Sequence, residues 1–259
     1  MESTAILPYG NMKVISFYQF RTLTDLPRLQ KELQKLCADL AIKGTIILAE
    51  EGINGTIVGT EASIQAFLAN PYFPDLTYKT ATVPAYPFQK LKIKIKPEII
   101  TLGTPIPKVQ ECTGVYVPPR QWNELLQEPD LLLIDTRNEY EVSIGTFRGA
   151  VNPHLDSFRQ FPDFVTQHLD PHQHRKIAMY CTGGIRCEKA SALMLQMGFA
   201  EVYQLQGGIL QYLAEIPPDQ SLWQGECFVF DDRTSVDHDL QTGNYQVIKG
   251  AVYPKLWQA

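Results

Sequence analysis

The sequence predicts an α/β protein of two domains, in which an α+β domain precedes a domain built on a parallel sheet. Three observations carry this prediction. The chain has 259 residues, more than one small domain needs, and its 44% hydrophobic and 20% charged content is that of an ordinary globular protein. Its first third alternates short apolar runs with two helical stripes. Its second half contains short continuous apolar runs, which are typical of strands buried on both faces.

The first domain is predicted to contain five strands and two helices. In the first helix leucines recur at helical spacing, and the charged residues fall on the opposite face. The helices are predicted over residues 25–40 and 61–68, and the strands over 14–20, 44–49, 53–58, 77–83 and 91–95. Strand, helix, strand, strand, helix, strand, with one further edge strand, is the split βαβ order of ferredoxin-like and acylphosphatase-like domains.

Two stretches of this domain are candidates for function. Residues 50–56 combine two acids, two glycines and an asparagine, which form either a polar turn or a loop facing a substrate; the turn chemistry favours the turn. The second stretch alternates lysine with apolar residues, so that four side chains share one face of a strand: Lys90, Lys92, Lys94 and Lys96. Such a face is either a solvated edge strand or a positive strip for RNA phosphates.

Domain boundaries follow from composition. Prolines and weak periodicity mark residues 97–123 as a linker. The first domain is therefore predicted over residues 1–96, the second over 124–219, and a C-terminal extension over 220–259.

Four histidines lie close together in the second domain, at His154, His168, His172 and His174. Pro171 breaks the helix that would align them, and no matching carboxylate or cysteine spacing accompanies them. The sequence therefore predicts no metal site.

The clearest chemical signal is the segment Cys181-Thr182-Gly183-Gly184-Ile185-Arg186, here called the cysteine loop. It follows a buried strand predicted over residues 176–180 and precedes a helix predicted from Cys187 onward. A glycine-rich loop that opens a helix points backbone N–H groups inward and adds the positive end of the helix dipole. Cys181 is therefore predicted to be a catalytic thiolate, stabilised by Arg186 and supported by Thr182, Gly183, Gly184 and Ile185.

Loop length separates two chemistries that share this architecture. Four residues lie between Cys181 and Arg186, one fewer than in cysteine-dependent phosphatases, and the smaller ring is that of rhodanese-type domains. The alternative is that Cys181 is a buried small hydrophobe. Cys187 is either a second thiol that resolves an oxidised Cys181 or a buried residue of the helix, and burial is the favoured interpretation.

The rhodanese resemblance extends over about a hundred residues. Leu131–Arg137 resembles the first core strand of that family, ending in Asp-x-Arg, and Leu205–Ile209 resembles its later Gly-Gly turn. Between them, a Glu-x3-Gly-x-Phe-x-Gly-Ala-x-Asn-Pro pattern is matched by Glu141, Gly145, Phe147, Gly149, Ala150, Asn152 and Pro153. This resemblance implies a rhodanese-type parallel-sheet α/β domain.

Charge and cysteine content bear on partner and compartment. Residues 1–110 carry 12 Lys and Arg against 9 Asp and Glu, whereas the rest of the chain carries 11 against 19. A relatively basic first half indicates an anionic partner. Five scattered cysteines favour a reducing compartment, and neither a secretory leader nor an apolar run of membrane-spanning length is visible. The sequence predicts a cytoplasmic protein without a membrane partner.

Over roughly residues 12–235 the chain resembles the bacterial tRNA uridine(34) hydroxylases. Four segments carry this resemblance: Glu51–Thr56, Lys94–Gly103, Cys181–Lys189 and Gly225–Arg233. The resemblance implies an enzyme that makes 5-hydroxyuridine at the tRNA wobble position, with molecular oxygen as co-substrate. It implies tRNA rather than DNA as the partner and the loop cysteine as the essential residue. Many members carry further cysteines after the Asp-Asp-Arg segment, whereas this chain has none beyond Cys227.

No flavin, dinucleotide or haem fingerprint and no facial metal triad appears in the sequence, so no cofactor is predicted. Two other functions stay open at this point. One is a rhodanese-type sulfurtransferase that carries a persulfide on Cys181. The other is a binding module whose loop no longer performs chemistry.

Overall fold

The structure is a computed structural model that describes residues 12–106, 109, 111–248 and 251–255. The chain divides into two compact units, Met1–Ile99 and Ile100–Ala259. Each unit has a hydrophobic core of its own.

The first unit contains one five-stranded sheet and two helices. In chain order, its elements are β1 (Met12–Phe20), α1 (Leu26–Asp39), β2 (Lys43–Ala49), β3 (Gly52–Gly59), α2 (Glu61–Leu68), β4 (Tyr78–Val83) and β5 (Leu91–Ile95). The strand order across the sheet is β4-β1-β3-β2-β5; β5 runs parallel to β2, and the other neighbours are antiparallel. The predicted split βαβ order with one extra edge strand is confirmed.

One face of this sheet is buried because both helices are amphipathic. Leu33 of α1 and Phe67 of α2 belong to the same buried cluster as Ile93 of the edge strand β5. Side chains alternate between the two faces of a strand, so the neighbours of Ile93 leave this core. Lys92 and Lys94 are accordingly exposed. The predicted alternation is therefore present on β5.

The second unit is built on a four-stranded parallel sheet with the order β6-β10-β9-β7. In chain order, its strands and α-helices are β6 (Val115–Val117), α3 (Pro119–Leu125), β7 (Leu131–Asp135), α4 (Glu139–Val142), β8 (Gly145–Phe147), α5 (Phe161–His168), β9 (Lys176–Tyr180), α6 (Ile185–Gln196), β10 (Glu201–Leu205), α7 (Gly208–Glu215), β11 (Trp223–Gly225), β12 (Cys227–Phe228), β13 (Ser235–Val236), β14 (Tyr245–Ile248) and β15 (Ala251–Pro254). The predicted parallel sheet is confirmed.

From Ile177 to Tyr180 the central strand β9 is apolar because it supplies two cores. Ile177 and Met179 belong to one buried cluster, and Ala178 and Tyr180 belong to the cluster on the opposite face of the sheet. A strand buried on both faces reads as a continuous apolar run instead of an alternating one. That run is what made β9 recognisable.

Two parts of the second unit differ from the sequence-based expectation. The predicted linker 97–123 contains β6, which pairs with β10 at the edge of the parallel sheet. β6 escaped prediction because its apolar run is only three residues long, too short to show a strand pattern. Residues 223–233 read in the sequence as one short strand with an acidic end, whereas the structure divides them into β11, which pairs with β8, and β12, which pairs with β13.

None of the helices in the described part of the chain has the length and apolar character that crossing a membrane requires.

Candidate active site at the cysteine loop

The cysteine loop connects β9 to α6 at the carboxyl end of the parallel sheet. Ligands of open α/β sheets bind at this edge, where the connections leave the strands. The neighbouring strand β7 ends at Asp135, and β10 is followed by the Gly207-Gly208 turn. The fold therefore brings the two sequence motifs of the rhodanese resemblance to the same edge as Cys181.

Gly184 gives the loop its curl. Its φ of 103° lies in the region that favours glycine, and it caps the N-terminus of α6. In this conformation the Gly184 amide donates a hydrogen bond to Cys181 Sγ over 3.1 Å. The predicted inward-pointing amide is therefore present, and α6 begins at Ile185, two residues earlier than expected.

Gly208 holds the loop from the other side. A Cβ atom at Gly208 would lie 2.4 Å from the Cys181 carbonyl oxygen and 2.8 Å from the Gly184 nitrogen, so no larger residue fits. The next amide, that of Ile209, donates to the Cys181 carbonyl over 3.0 Å. The N-terminus of α7 thus fixes the backbone from which the sulfur projects.

The groups around Cys181 favour the ionised, thiolate form of its side chain. Burial alone raises its pKa, but a hydrogen bond from the Cys187 thiol, the charge of Arg186 and backbone amides of Arg186 and Gly184 together lower it to about 5. A thiol with such a pKa is ionised at neutral pH and is the nucleophilic form of cysteine.

Cys187 is buried in the first turn of α6, and its thiol lowers the pKa of Cys181 more than any other single interaction does. Its own pKa is raised well above the ordinary value, first by burial and then by the hydrogen bond and negative charge of Cys181. Its sulfur also lies 3.7 Å from Thr136 Oγ1. Cys187 therefore stays protonated and acts as a donor to the Cys181 thiolate.

Arg186 is not a free cation above the loop. Its Nη1 and Nη2 atoms donate to Glu141 Oε2 and Oε1 over 2.6 and 2.7 Å, and both side chains are buried. Burial raises the pKa of Glu141, but the attraction and hydrogen bonds of Arg186 hold it below its ordinary value. Cys181, Arg186 and Glu141 thus form a buried cluster in which one cation faces two anions.

Glu141 belongs to a motif of the rhodanese resemblance, but the spacing of that motif did not place it beside Cys181 and Arg186. It also accepts hydrogen bonds from Thr182 Oγ1 over 3.3 Å and from the Asn138 amide over 3.1 Å. The sequence signal for Glu141 was its place at the start of the Glu-x3-Gly-x-Phe pattern. Spacing alone, however, does not show which arginine pairs with a given glutamate. The structure adds Glu141 to the site.

A second buried arginine supports Glu141 from behind. Arg137 pairs with Asp135 over 2.6 Å, and neither side chain is exposed. Its Nη1 atom donates to the Glu141 carbonyl oxygen over 3.1 Å, and its Nη2 atom donates to the Gly145 carbonyl oxygen. The Asp-x-Arg segment that ends β7 therefore braces the backbone that carries Glu141.

The other candidates from the sequence lie elsewhere. The four lysines are in the first unit, where Lys90, Lys92, Lys94 and Lys96 are all exposed. In the polar stretch 50–56, Glu51 Oε1 accepts the Ile99 amide over 2.7 Å and Asn54 Nδ2 donates to the Ile99 carbonyl over 3.0 Å. These contacts within the unit favour a structural turn over a substrate-facing loop for that stretch.

The histidines form separate local contacts. His154 Nδ1 lies 2.8 Å from Glu139 Oε2, and His174 Nδ1 accepts the Asp170 amide over 3.0 Å. Among the residues that the structure describes, no group of three or more His, Cys, Asp or Glu side chains is arranged to hold a metal ion.

Comparison with known proteins covers both units. Residues 12–99 match the UPF0176 acylphosphatase like domain, and residues 119–215 match the rhodanese-like domain. A tRNA uridine(34) hydroxylase of Picosynechococcus sp. is 51% identical over 245 residues, which is 93% of this chain and 82% of that protein. One of Synechocystis sp. is 51% identical over 246 residues, 93% of this chain and 88% of that protein.

A third relative, the tRNA uridine(34) hydroxylase of Teredinibacter turnerae, is 51% identical over 245 residues, 93% of this chain and 76% of that protein. Such identity across both units confirms the resemblance drawn from the motifs. By its sequence and its two domains, this chain belongs to the tRNA uridine(34) hydroxylase family.

Proposed function

We propose that this chain hydroxylates the wobble uridine of tRNA to 5-hydroxyuridine, with Cys181 as its reactive centre and molecular oxygen as co-substrate. The observation that carries the proposal is the thiolate environment of Cys181 in a chain that is 51% identical to proteins named for this reaction. Because tRNA is the substrate, the proposed compartment is the cytoplasm.

The chain's own contribution is to hold a reactive sulfur anion. The Gly184 amide and the Cys187 thiol donate to Cys181, while Arg186 supplies positive charge that Glu141 keeps in place. The same donors suit the anion of a persulfide on Cys181, since that species also presents a negatively charged sulfur to the loop. We therefore propose that Cys181 acts as a thiolate or as its persulfide.

The lysine face of β5 is the proposed contact for the tRNA backbone. Lys92 and Lys94 are exposed on an edge strand, with Lys90 and Lys96 exposed just beyond its ends. None of the four forms an ion pair with another residue in the described part of the chain. Phosphate binding by such lysines gives affinity that falls with rising salt.

The test is nucleoside mass spectrometry of tRNA from cells that lack this gene. Complementation with the wild-type gene should restore the 5-hydroxyuridine-derived signal, and Cys181→Ala should not. Cys112→Ala is the matched control, because Cys112 is an exposed cysteine outside the loop. An unchanged signal with the wild-type gene would refute the proposal.

The competing function, sulfur transfer, has its own measurement. Incubation of the purified protein with thiosulfate, followed by intact-peptide mass spectrometry, should add one sulfur atom to Cys181 if the loop carries a persulfide. Sulfur loading without any effect of the gene on tRNA would favour a sulfurtransferase.

A further inference from the structure

Three aromatic side chains form a row that reaches the cysteine loop at Phe230, and the C-terminal segment supplies two of them. The rings of Tyr140 and Phe228 have centroids 5.2 Å apart, and those of Phe228 and Phe230 are also 5.2 Å apart, both pairs meeting edge to face. Tyr140 immediately precedes Glu141, the partner of Arg186. The row of rings therefore begins at the ion pair and ends at Phe230.

Phe230 contacts the cysteine loop through Arg186. Its ring centroid lies 6.0 Å from the guanidinium carbon of Arg186, within the range of a cation–π contact. Arg186 is one of the groups that lower the pKa of Cys181. The ring thus lies beside the reactive cluster, although Phe230 and Arg186 are far apart in sequence.

Phe230 is 55% exposed, whereas Phe228 in the same row is 7% exposed. The exposed ring is carried on a fixed backbone. The Val229 amide donates to the Thr234 carbonyl over 2.9 Å, and Arg233 pairs with Asp231 over 2.6 Å inside the same turn. An exposed aromatic ring beside this buried ionic cluster offers a π face on which a planar ligand can stack.

We propose that Phe230 is the stacking platform for the pyrimidine base that is modified. A base must leave its own stack before an enzyme acts on it, and an aromatic side chain replaces the lost stacking. Because Phe230 contacts Arg186, a uracil ring stacked on Phe230 is placed beside the cysteine loop. This assignment rests on the proposed function, and it gives the C-terminal segment a direct part in substrate binding.

The experiment uses the full-length protein and an anticodon stem-loop RNA with 5-bromouridine at position 34. Irradiation should cross-link the RNA to the peptide that contains Phe230, as identified by mass spectrometry. Phe230→Ala should weaken binding of this RNA about tenfold, and Phe230→Leu about as much, because leucine keeps bulk but loses the π face. Phe230→Trp should bind within about twofold of wild type.

Tyr253→Ala is the control, since Tyr253 is another exposed aromatic side chain of the second unit, at 49%, and lies on β15. It should bind like wild type. The alkylation rate of Cys181 should be similar in Phe230→Ala and wild type, which establishes that the loop is intact. Cross-linking at another site, together with wild-type binding by Phe230→Ala, would overturn the platform.

Failure of the two proposals gives different results. If the platform is wrong but the function is right, Phe230→Ala and the wild type restore the tRNA modification equally. If the function is wrong, the wild-type gene itself fails to restore the tRNA modification. The proposed role of Phe230 is then refuted together with the function.

Discussion

Arg186 and Glu141 are joined by two buried hydrogen bonds, 2.6 and 2.7 Å long, although 45 residues separate them in the chain. The pair links the first turn of α6 to α4, and it aligns the only arginine of the cysteine loop. Two parallel N–H···O bonds of this kind fix both planes as well as the distance. The positive charge next to Cys181 is therefore positioned by a residue outside the loop.

Glu141→Ala should destabilise the protein strongly. Glu141→Ala leaves the buried Arg186 without the carboxylate that accepts both of its hydrogen bonds, and loss of one partner of a buried ion pair costs about 3–5 kcal/mol. Urea unfolding monitored by circular dichroism should show this as a lower midpoint. Asp39→Ala is the control, because Asp39 and its ion-pair partner Lys35 are both exposed. An exposed pair contributes less than about 1 kcal/mol, so equal losses for the two variants would contradict the prediction.

Cys187→Ala should raise the pKa of Cys181. The wild-type Cys181 thiol has a pKa of about 5, partly because Cys187 donates a hydrogen bond to it. A hydrogen bond to a charged group is worth about 1.5–3 kcal/mol, so the midpoint should move up by about one to two pH units. The measurement is the pH dependence of Cys181 alkylation by iodoacetamide, resolved by peptide mass spectrometry.

Two further variants decide what the Cys187 side chain does. Cys187→Ser keeps a hydroxyl donor at the same position and should restore most of the low pKa of Cys181. Cys37→Ala removes a buried cysteine of the first unit and should leave the midpoint unchanged. A midpoint in Cys187→Ala equal to that of wild type would mean that Arg186 and the loop amides suffice.

Gly208→Ala should disrupt the cysteine loop. Gly208 has a φ of 67°, and an added Cβ would collide with the Cys181 carbonyl oxygen at 2.4 Å. We expect loss of tRNA modification in complementation and a stability loss of more than about 2 kcal/mol, from backbone strain and the clash together. Slower alkylation of Cys181 would locate the damage in the loop.

Gly198→Ala separates the two causes of this effect. Gly198 also has a positive φ, 92°, but an added Cβ there meets no atom within 4 Å. It should cost only about 1–2 kcal/mol, the strain of a left-handed residue, and keep Cys181 reactive. If both alanine variants lose modification alike, backbone strain rather than contact with the loop explains the result.

Most helices and strands could be predicted from local sequence patterns. The helix Glu61–Leu68 and the strands Leu91–Ile95 and Lys176–Tyr180 were predicted with these bounds, because their periodicity is written in consecutive residues. β6 was missed for the opposite reason: an edge strand of three residues has no pattern long enough to read. The cysteine loop was recognisable because it, too, is contiguous in sequence.

Contacts between distant segments were not predictable from one sequence. The motif containing Glu141 was visible, but its pairing with Arg186 depends on how α4 packs beside α6. Phe230 lies in the recognised segment Gly225–Arg233, but its position near Arg186 depends on the turn held by Asp231 and Arg233. Spacing identifies the elements of a site, whereas the tertiary fold decides which of them meet.

The lysine face of β5 is tested by its salt dependence. Lys92→Gln with Lys94→Gln should weaken tRNA binding and reduce the slope of log affinity against log salt by about two, because each phosphate contact contributes about one. Protein stability should change little, since both side chains are exposed. Filter binding of unmodified tRNA across a salt series gives both quantities.

Lys31→Gln with Lys35→Gln is the matched control, because these lysines are exposed on α1 of the same unit and the substitution removes the same charge. If the β5 face grips RNA, the control keeps the wild-type slope, and only the β5 variant loses affinity at low salt. Equal losses in both double variants would mean that tRNA responds to the net charge of the first unit and not to this strand. A wild-type slope in the β5 variant would assign Lys92 and Lys94 to the solvated edge of the sheet, where charged side chains prevent pairing with another strand.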